Sequence, residues 1–95
     1  MLKIRSISTP AYTSVSGTIG STAAHIDSIT GRQGAFITIE DAPVRYWYDG
    51  ATPTQYTGHL LLPGQSLEIN HPTCLANLLL VSADGSTAKY MASLY

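Results

Sequence analysis

Residues 44–58, which read VRYWYDGATPTQYTG, carry the clearest structural signal in this chain. The first half of this stretch has the composition of a β-strand, because it is rich in β-branched and aromatic residues. Side chains alternate between the two faces of a strand. The pattern therefore places Val44, Tyr46 and Tyr48 on one face, and Arg45 and Trp47 on the other.

The second half of this stretch carries the signals of a turn and a return strand. Asp49-Gly50 is typical of a hairpin turn, because Gly readily adopts the positive φ that tight turns need. Pro53 then keeps the following residues extended and out of any helix. The sequence predicts a β-hairpin that runs from Val44 to about Leu62.

Further strand patterns recur along the chain at a spacing of about ten residues, with turn signals between them. Turns are predicted at Gly31–Gly34, Pro63-Gly64 and Asp84-Gly85, the last as the turn of a second hairpin. We call the predicted hairpin from Val44 to about Leu62 the organising hairpin. The strands predicted outside it are Ala35–Glu40, Gln65–Asn70, Leu75–Val81 and Ala88–Leu94.

These strands differ in how their faces are patterned. Ala35–Glu40 is apolar on both faces until Glu40, which indicates a strand covered on both sides. Gln65–Asn70 turns Leu67 and Ile69 inward, and the last strand carries Ala88, Tyr90, Ala92 and Leu94 on one face. A single helical turn near Thr73–Asn77 is an alternative to the start of the Leu75–Val81 strand, and Ala23–Ile29 fits no element clearly.

The N-terminal residues admit two interpretations. Leu2–Ile7 alternates like a strand and Pro10 ends it, so this segment is either a first strand or an ordered arm. Ala11–Gly20 is either a loose edge strand or an extended arm. Under the arm hypothesis, Met1–Pro10 contacts a neighbouring subunit or the larger assembly to which the chain belongs, and Lys3 and Arg5 meet acidic groups there. We therefore divide the chain into an N-terminal strand or arm, residues 1–20, and a single β-sandwich domain, residues 21–95.

The spacing of strands and turns predicts an all-β fold with about seven or eight short strands. The expected architecture is an antiparallel β-sandwich, of jelly-roll or immunoglobulin-like type, or a small barrel. At 95 residues the chain makes one domain, whose stability would benefit from oligomerisation or a partner.

The composition argues against several classes of partner. Five Lys and Arg against six Asp and Glu give a net charge of −1, which provides no basic face for nucleic acid. The longest apolar runs are far shorter than a membrane span. Charged residues make up 12% of the chain, about half the usual share, which suits either a protein that works in an assembly or a Thr-rich β-domain.

The sequence contains no recognisable catalytic or cofactor site. Cys74 is the single cysteine, so it cannot form an internal disulfide or a zinc motif. His25 and Asp27 would share a strand face as half of a metal site, but no further ligands complete it. Glu40 and Asp41 are adjacent and point to opposite sides of a strand, so they do not form an acid–base pair. We expect a non-enzymatic protein without cofactor or metal.

The aromatic residues of the organising hairpin are the best functional candidates. Trp47 has three interpretations: a core anchor of the sandwich, an interface hot spot, or part of a platform on which a sugar ring stacks. Trp, Tyr and Arg dominate interface hot spots. The predicted interface residues are Lys3, Arg5, Arg45, Trp47, Tyr56 and Tyr95.

Several turn and strand motifs carry a resemblance to a known group of proteins. They are residues 44–54 (VRYWYDGATPT), Gly58-His59, Pro63-Gly64 before Leu67-Glu68-Ile69, and residues 83–88 (ADGSTA). Together they make residues 35–95 resemble small virion structural proteins of tailed bacteriophages. The resemblance implies a capsid decoration, or cement, protein, although tail, neck or fibre-attachment roles are also compatible with it. It brings no catalytic residues.

Two functional hypotheses follow from the resemblance and the aromatic residues. In the first, the chain is a β-sandwich virion protein, made in the host bacterial cytoplasm, that binds the major capsid protein or other virion proteins as a homo-oligomer. It would stabilise the shell by mass action. In the second, the chain is a carbohydrate-binding or host-adhesion module of a phage tail or surface protein. Neither hypothesis involves nucleic acid or a membrane.

Overall fold

The computed structural model describes residues 13–95 of the chain. The predicted strand or arm at Leu2–Ile7, together with Lys3, Arg5 and Pro10, lies outside the described residues. The described part contains seven strands and one short helix. In chain order they are β1 (Thr13–Ile19), β2 (Ala35–Ile39), β3 (Val44–Trp47), β4 (His59–Leu61), β5 (Ser66–Ile69), α1 (Pro72–Ala76), β6 (Leu79–Ser82) and β7 (Ala88–Leu94).

The strands form two antiparallel sheets. Sheet A has the order β1-β7-β2-β5, and sheet B has the order β4-β3-β6. Buried side chains from both sheets belong to one continuous hydrophobic cluster. The prediction of an all-β sandwich is therefore confirmed, and within residues 13–95 the two sheets do not close into the barrel that was the alternative.

The core is built from alternate positions of the strands, as the two-residue period requires. The predicted inward set of the last strand is buried, and so are Ile37 and Ile39 of β2. Sheet B contributes Val44, Leu61 and Leu80 to the same cluster. The second face of β2 departs from the prediction, because Phe36 and Thr38 are only half-buried on the outer side of sheet A.

The organising hairpin exists, but its turn differs from the predicted one. Val44 pairs with Leu61 and Tyr46 with His59, whereas the connection between the strands spans residues 48–58. Asp49 accepts a hydrogen bond from the Ala51 N–H at 3.0 Å, so Asp49-Gly50 forms a local turn that does not itself close the hairpin. Because Pro53 has no N–H to donate to a ladder, a return strand beginning at residue 51 would be interrupted at once.

Two further predicted turns, Pro63-Gly64 and Asp84-Gly85, connect strands of different sheets. Pro63-Gly64 links β4 in sheet B to β5 in sheet A, and Asp84-Gly85 links β6 in sheet B to β7 in sheet A. The turn at Asp84-Gly85 was predicted to close a hairpin, and that prediction is wrong, since β6 and β7 do not pair. The local chemistry is still that of a turn: hydrogen bonds from the Ser86 hydroxyl and N–H lower the pKa of Asp84.

The segment before β6 also differs from the prediction. The predicted strand Leu75–Val81 begins only at Leu79, and the alternative of a helical turn is the one observed, as α1. Pro72 occupies the first turn of this helix, where its missing N–H costs nothing. His71 caps the helix through Nδ1, which accepts from the N–H groups of Thr73 and Cys74 at 3.2 and 3.5 Å.

The described part of the N-terminal segment is an integral edge strand. Thr13–Ile19 pairs along its length with β7, from Thr13 opposite Leu94 to Ile19 opposite Ala88. Of the two alternatives for Ala11–Gly20, the edge strand is the one observed over Thr13–Ile19. They therefore belong to the same sheet as β2, β5 and β7.

The long connection from β1 to β2 closes one side of the sandwich. The Gly20 carbonyl accepts from the Ser82 N–H at 2.8 Å, and Ala24 exchanges two backbone hydrogen bonds with Leu80 at 3.0 Å. Ile26 is buried in the core, and His25 Nδ1 lies 2.7 Å from the Leu78 carbonyl oxygen. The segment that fitted no element in the sequence thus covers the outer edge of β6.

We expect Gly50→Val to destabilise the protein more than Gly20→Val. Gly50 has a φ of +89°, which a β-branched residue adopts only at a cost of about 1–2 kcal/mol. Gly20 has no such φ, and a Cβ added there meets no atom within 4 Å. Thermal unfolding of both variants measures the difference, and equal melting temperatures would contradict the turn assignment.

Candidate functional site

Four aromatic rings gather at the loop end of the β3–β4 hairpin, with His59 in the middle. The ring centre of His59 lies 5.3 Å from Tyr46, 5.0 Å from Trp47 and 5.9 Å from Tyr48. The strand register explains this arrangement, because it places Tyr46 directly opposite His59. We call these four residues the aromatic cluster.

Trp47 does not serve as the core anchor of the sandwich. It is half-buried and lies outside the hydrophobic core cluster, and its ring contacts His59 edge-on. The residues that anchor sheet B in the core are smaller: Val44, Leu61 and Leu80. The core-anchor interpretation of Trp47 is therefore wrong, and the two surface interpretations of this residue remain.

A groove of about 340 Å³ lies between the aromatic cluster and sheet A. Tyr46 and Tyr48 form one wall, and Tyr48 is 44% exposed. Burial, and secondarily the neighbouring Tyr48, raise the pKa of Tyr46, so its hydroxyl stays protonated at neutral pH. The opposite wall comes from β5 and the start of α1, and its polar residues are Glu68, Asn70 and His71.

The polar wall of this groove was missed in the sequence. Its residues lie about twenty positions or more beyond the tyrosines, and only the packing of the β5–α1 segment against β3 brings the two sets together. Tyr95 also belongs to this region, since its hydroxyl donates to Glu68 Oε2 at 3.0 Å. The backbone of Tyr95 is fastened to Gly34 by hydrogen bonds in both directions.

Arg45 fastens the loop between β3 and β4. Its Nε donates to the Gln55 carbonyl at 3.0 Å, and its Nη1 donates to the Gly58 carbonyl at 2.9 Å. These bonds hold the end of the loop over the outer side of sheet B. The structure thus gives this predicted interface residue an internal role, because its Nε and Nη1 donate within the chain.

Exposed apolar side chains concentrate on the same hairpin. Tyr56, in the loop, is 79% exposed, and Leu60 and Leu62 on the β4 side are 47% and 46% exposed. Leu60 lies opposite Arg45 in the ladder, and Leu62 follows directly after the end of β4. We call Tyr56, Leu60 and Leu62 the apolar strip. Tyr56 was among the predicted interface residues, whereas Leu60 and Leu62 were not.

The other candidate residues of the sequence do not assemble into a reactive centre in the described part of the chain. His25 and Asp27 line a depression of about 630 Å³ between residues 25–33 and α1. Among residues 13–95, no three His, Cys, Asp or Glu side chains are grouped as a metal ion would require. No helix within these residues has the length and hydropathy to cross a bilayer.

Comparison with known protein families, curated proteins and solved structures finds no significant match to this chain. The functional argument therefore depends on the residues and surfaces described above.

We expect Arg45→Lys to destabilise the protein by about 1–2 kcal/mol, because a lysine ammonium cannot reproduce both fixed guanidinium bonds. Arg32→Lys is the matched control, since Arg32 makes a single longer bond of 3.3 Å, to the Ser28 carbonyl. Urea unfolding gives the stabilities, and faster amide exchange of residues 54–58 in Arg45→Lys would locate the effect. Equal stabilities of the two variants would contradict this role of Arg45.

Proposed function

We propose that this chain is a non-enzymatic structural protein of a bacteriophage virion, a capsid decoration protein that binds and stabilises the assembled shell. It is made in the host bacterial cytoplasm and acts in the virion, where its partners are the major capsid protein or other virion proteins. It acts as a homo-oligomer. The resemblance of residues 35–95 to small virion proteins gives the functional class.

The single observation that carries this proposal is the apolar strip on the β3–β4 hairpin. Large apolar and aromatic side chains that stay exposed on a folded domain mark interaction surfaces when they lie together. Tyr56, Leu60 and Leu62 belong to one hairpin, whose loop Arg45 fastens before any partner arrives. An ordered loop loses less conformational entropy on binding than a mobile one.

The strip also suits a neutral partner surface. The chain has a net charge of −1 and few charged residues, so long-range attraction contributes little and buried contact must supply the affinity. Every copy that binds the assembled shell, and not its separated subunits, shifts the equilibrium toward the shell. Repetition over many equivalent positions makes a modest contact effective.

We expect Tyr56→Ala and Leu60→Ser to weaken binding to phage particles by about tenfold or more, as truncation of a hot-spot residue does. Met91→Ser is the matched control, because Met91 is 51% exposed but belongs to β7 in sheet A. Co-sedimentation with particles that lack the protein measures binding. Absence of the native protein from purified particles would refute the virion role, and equal binding of all variants would refute the strip.

The groove beside the aromatic cluster supports a second candidate function, a carbohydrate-binding or host-adhesion module. Sugar sites combine an aromatic face with polar groups that bond the hydroxyls, as protein pockets generally pair apolar walls with a few placed polar groups. The groove supplies Tyr48 as the exposed ring, and Glu68, Asn70 and His71 as the polar groups. Sequence reasoning found the rings without these polar partners.

A glycan array separates the two functions. If the groove binds sugar, the native chain retains particular glycans, Tyr48→Ala loses them, and Tyr56→Ala keeps them, since Tyr56 is in the apolar strip and not in the groove. If no glycan is retained by the native chain, the carbohydrate function is wrong. The apolar strip can still be tested by particle binding.

A further inference from the structure

We propose that two copies of this chain pair through their β1 edges, antiparallel and about a two-fold axis at Ser16, so that the two four-stranded sheets join into one continuous sheet. This inference names the surface of the proposed homo-oligomer and in that sense rests on the proposed function. Its evidence, however, is independent of any virion partner.

In sheet A, hydrogen-bonded and non-hydrogen-bonded residue pairs alternate along each ladder. This alternation determines which backbone N–H and C=O groups of β1 face outward. Gly34 and Tyr95 exchange two backbone bonds, of 3.2 and 3.1 Å, so the odd-numbered residues of β7 direct their backbone groups toward β2. Antiparallel ladders alternate, so Ala88, Tyr90, Ala92 and Leu94 direct theirs toward β1. Their partners in β1 are Thr13, Val15, Gly17 and Ile19.

The intervening residues of β1 therefore direct their backbone N–H and C=O groups away from the sheet. These residues are Ser14, Ser16 and Thr18, and all three side chains are exposed. Gly20 follows the same alternation, since its carbonyl points away from β7 and accepts a hydrogen bond from the Ser82 N–H. In the part of the chain that the structure describes, no strand pairs with the outer edge of β1 at Ser14–Thr18.

This edge lacks the devices by which proteins prevent strands from pairing between molecules. Such edges usually carry lysine, another inward charge, proline or a bulge, or they are very short. The seven residues of β1 contain no charged residue and no proline, and their register with β7 is continuous.

The other sheet edges of the described residues are protected. Residues 20–24 cover β6 through Gly20 and Ala24. The β4 strand has only three residues and follows the long loop at residues 48–58. The β5 strand carries the charged Glu68 beside the groove. β1 is therefore the described edge that is both long and open.

A second copy of β1 is the occupant that this edge fits best. With the axis at Ser16, Ser16 faces Ser16 of the second copy, and Ser14 faces Thr18. Each of these pairs can exchange two backbone hydrogen bonds, because their groups all point outward. Hydroxyl side chains then lie opposite hydroxyl side chains, which pair favourably across strands, and no like charges meet. A two-fold contact of this kind is closed, so it gives a dimer and not a fibre.

The test uses the full chain and three substitutions, with the state of association measured by sedimentation over a range of concentrations. Ser16→Lys and Ser16→Glu each place two like charges opposite one another at the axis, so we expect dimer dissociation constants at least about tenfold higher. Ser66→Lys is the matched control, since Ser66 is an exposed residue of β5 at the opposite edge of sheet A, and it should dimerise as the native chain does.

The decisive measurement mixes the two charged variants. Because the lysine introduced in one copy would then face the glutamate introduced in the other, the mixture should dimerise again, which a merely damaged strand would not do. The inference is overturned if the native chain is monomeric throughout, if Ser16→Lys dimerises as the native chain does, or if Ser66→Lys is equally impaired.

Failure of the mixed variants to dimerise would also overturn the two-fold pairing, and would assign the β1 edge to a different segment or protein. None of these outcomes depends on virion binding. A dimer can therefore be established when the decoration function fails, and the reverse holds as well.

Discussion

The two-sided pairing of β7 is the interaction on which sheet A depends. β7 is the last strand of the chain, yet it lies between β1 and β2 and bonds to both. Its inward residues are all buried. The hydrogen bonds of β7 to its neighbours and its apolar contacts with the core therefore both hold it between β1 and β2. Tyr90 extends this role, since its hydroxyl lies 3.4 Å from the Asp27 N–H and helps to hold the long connection across the sandwich.

The two faces of the β3–β4 hairpin have different roles in sheet B. Its inner positions, Val44 and Leu61, complete the core, and its outer positions carry the exposed leucines. Its loop end holds the aromatic cluster, whose Tyr46 and Tyr48 form one wall of the groove. Arg45 holds the loop that joins the two strands through its bonds to Gln55 and Gly58. Both candidate functions thus use surfaces of one rigid hairpin.

The open edge of β1 and the apolar strip are in different sheets, so one copy of the chain can present both at once. A dimer joined through β1 would carry two apolar strips related by a two-fold axis. Two weak contacts made together bind more strongly than either alone when the spacing suits the partner. This coupling would let a small domain of low charge attach firmly to a repetitive surface.

Most of the strands and most of their inward faces could be predicted from the sequence. The two-residue period located the core positions of β2, β5 and β7, and the glycines at Gly50, Gly64 and Gly85 all have the positive φ expected of their turns. These features are local, because alternation and turn conformation depend on a few consecutive residues. The helical turn of α1 was left open, since its cap, His71, is not among the usual capping residues.

The strand to which each turn leads depends on tertiary contacts and could not be predicted from the sequence. Asp84-Gly85 has the same local signal whether it closes a hairpin or crosses between sheets, and the crossing follows from where β6 and β7 find partners. The same is true of the candidate surfaces. Arg45 holds a loop through hydrogen bonds, and Trp47 lies outside the core. Glu68, Asn70 and His71 line a groove together with Tyr46 and Tyr48. These outcomes depend on contacts between residues distant in the chain, which local pattern does not encode.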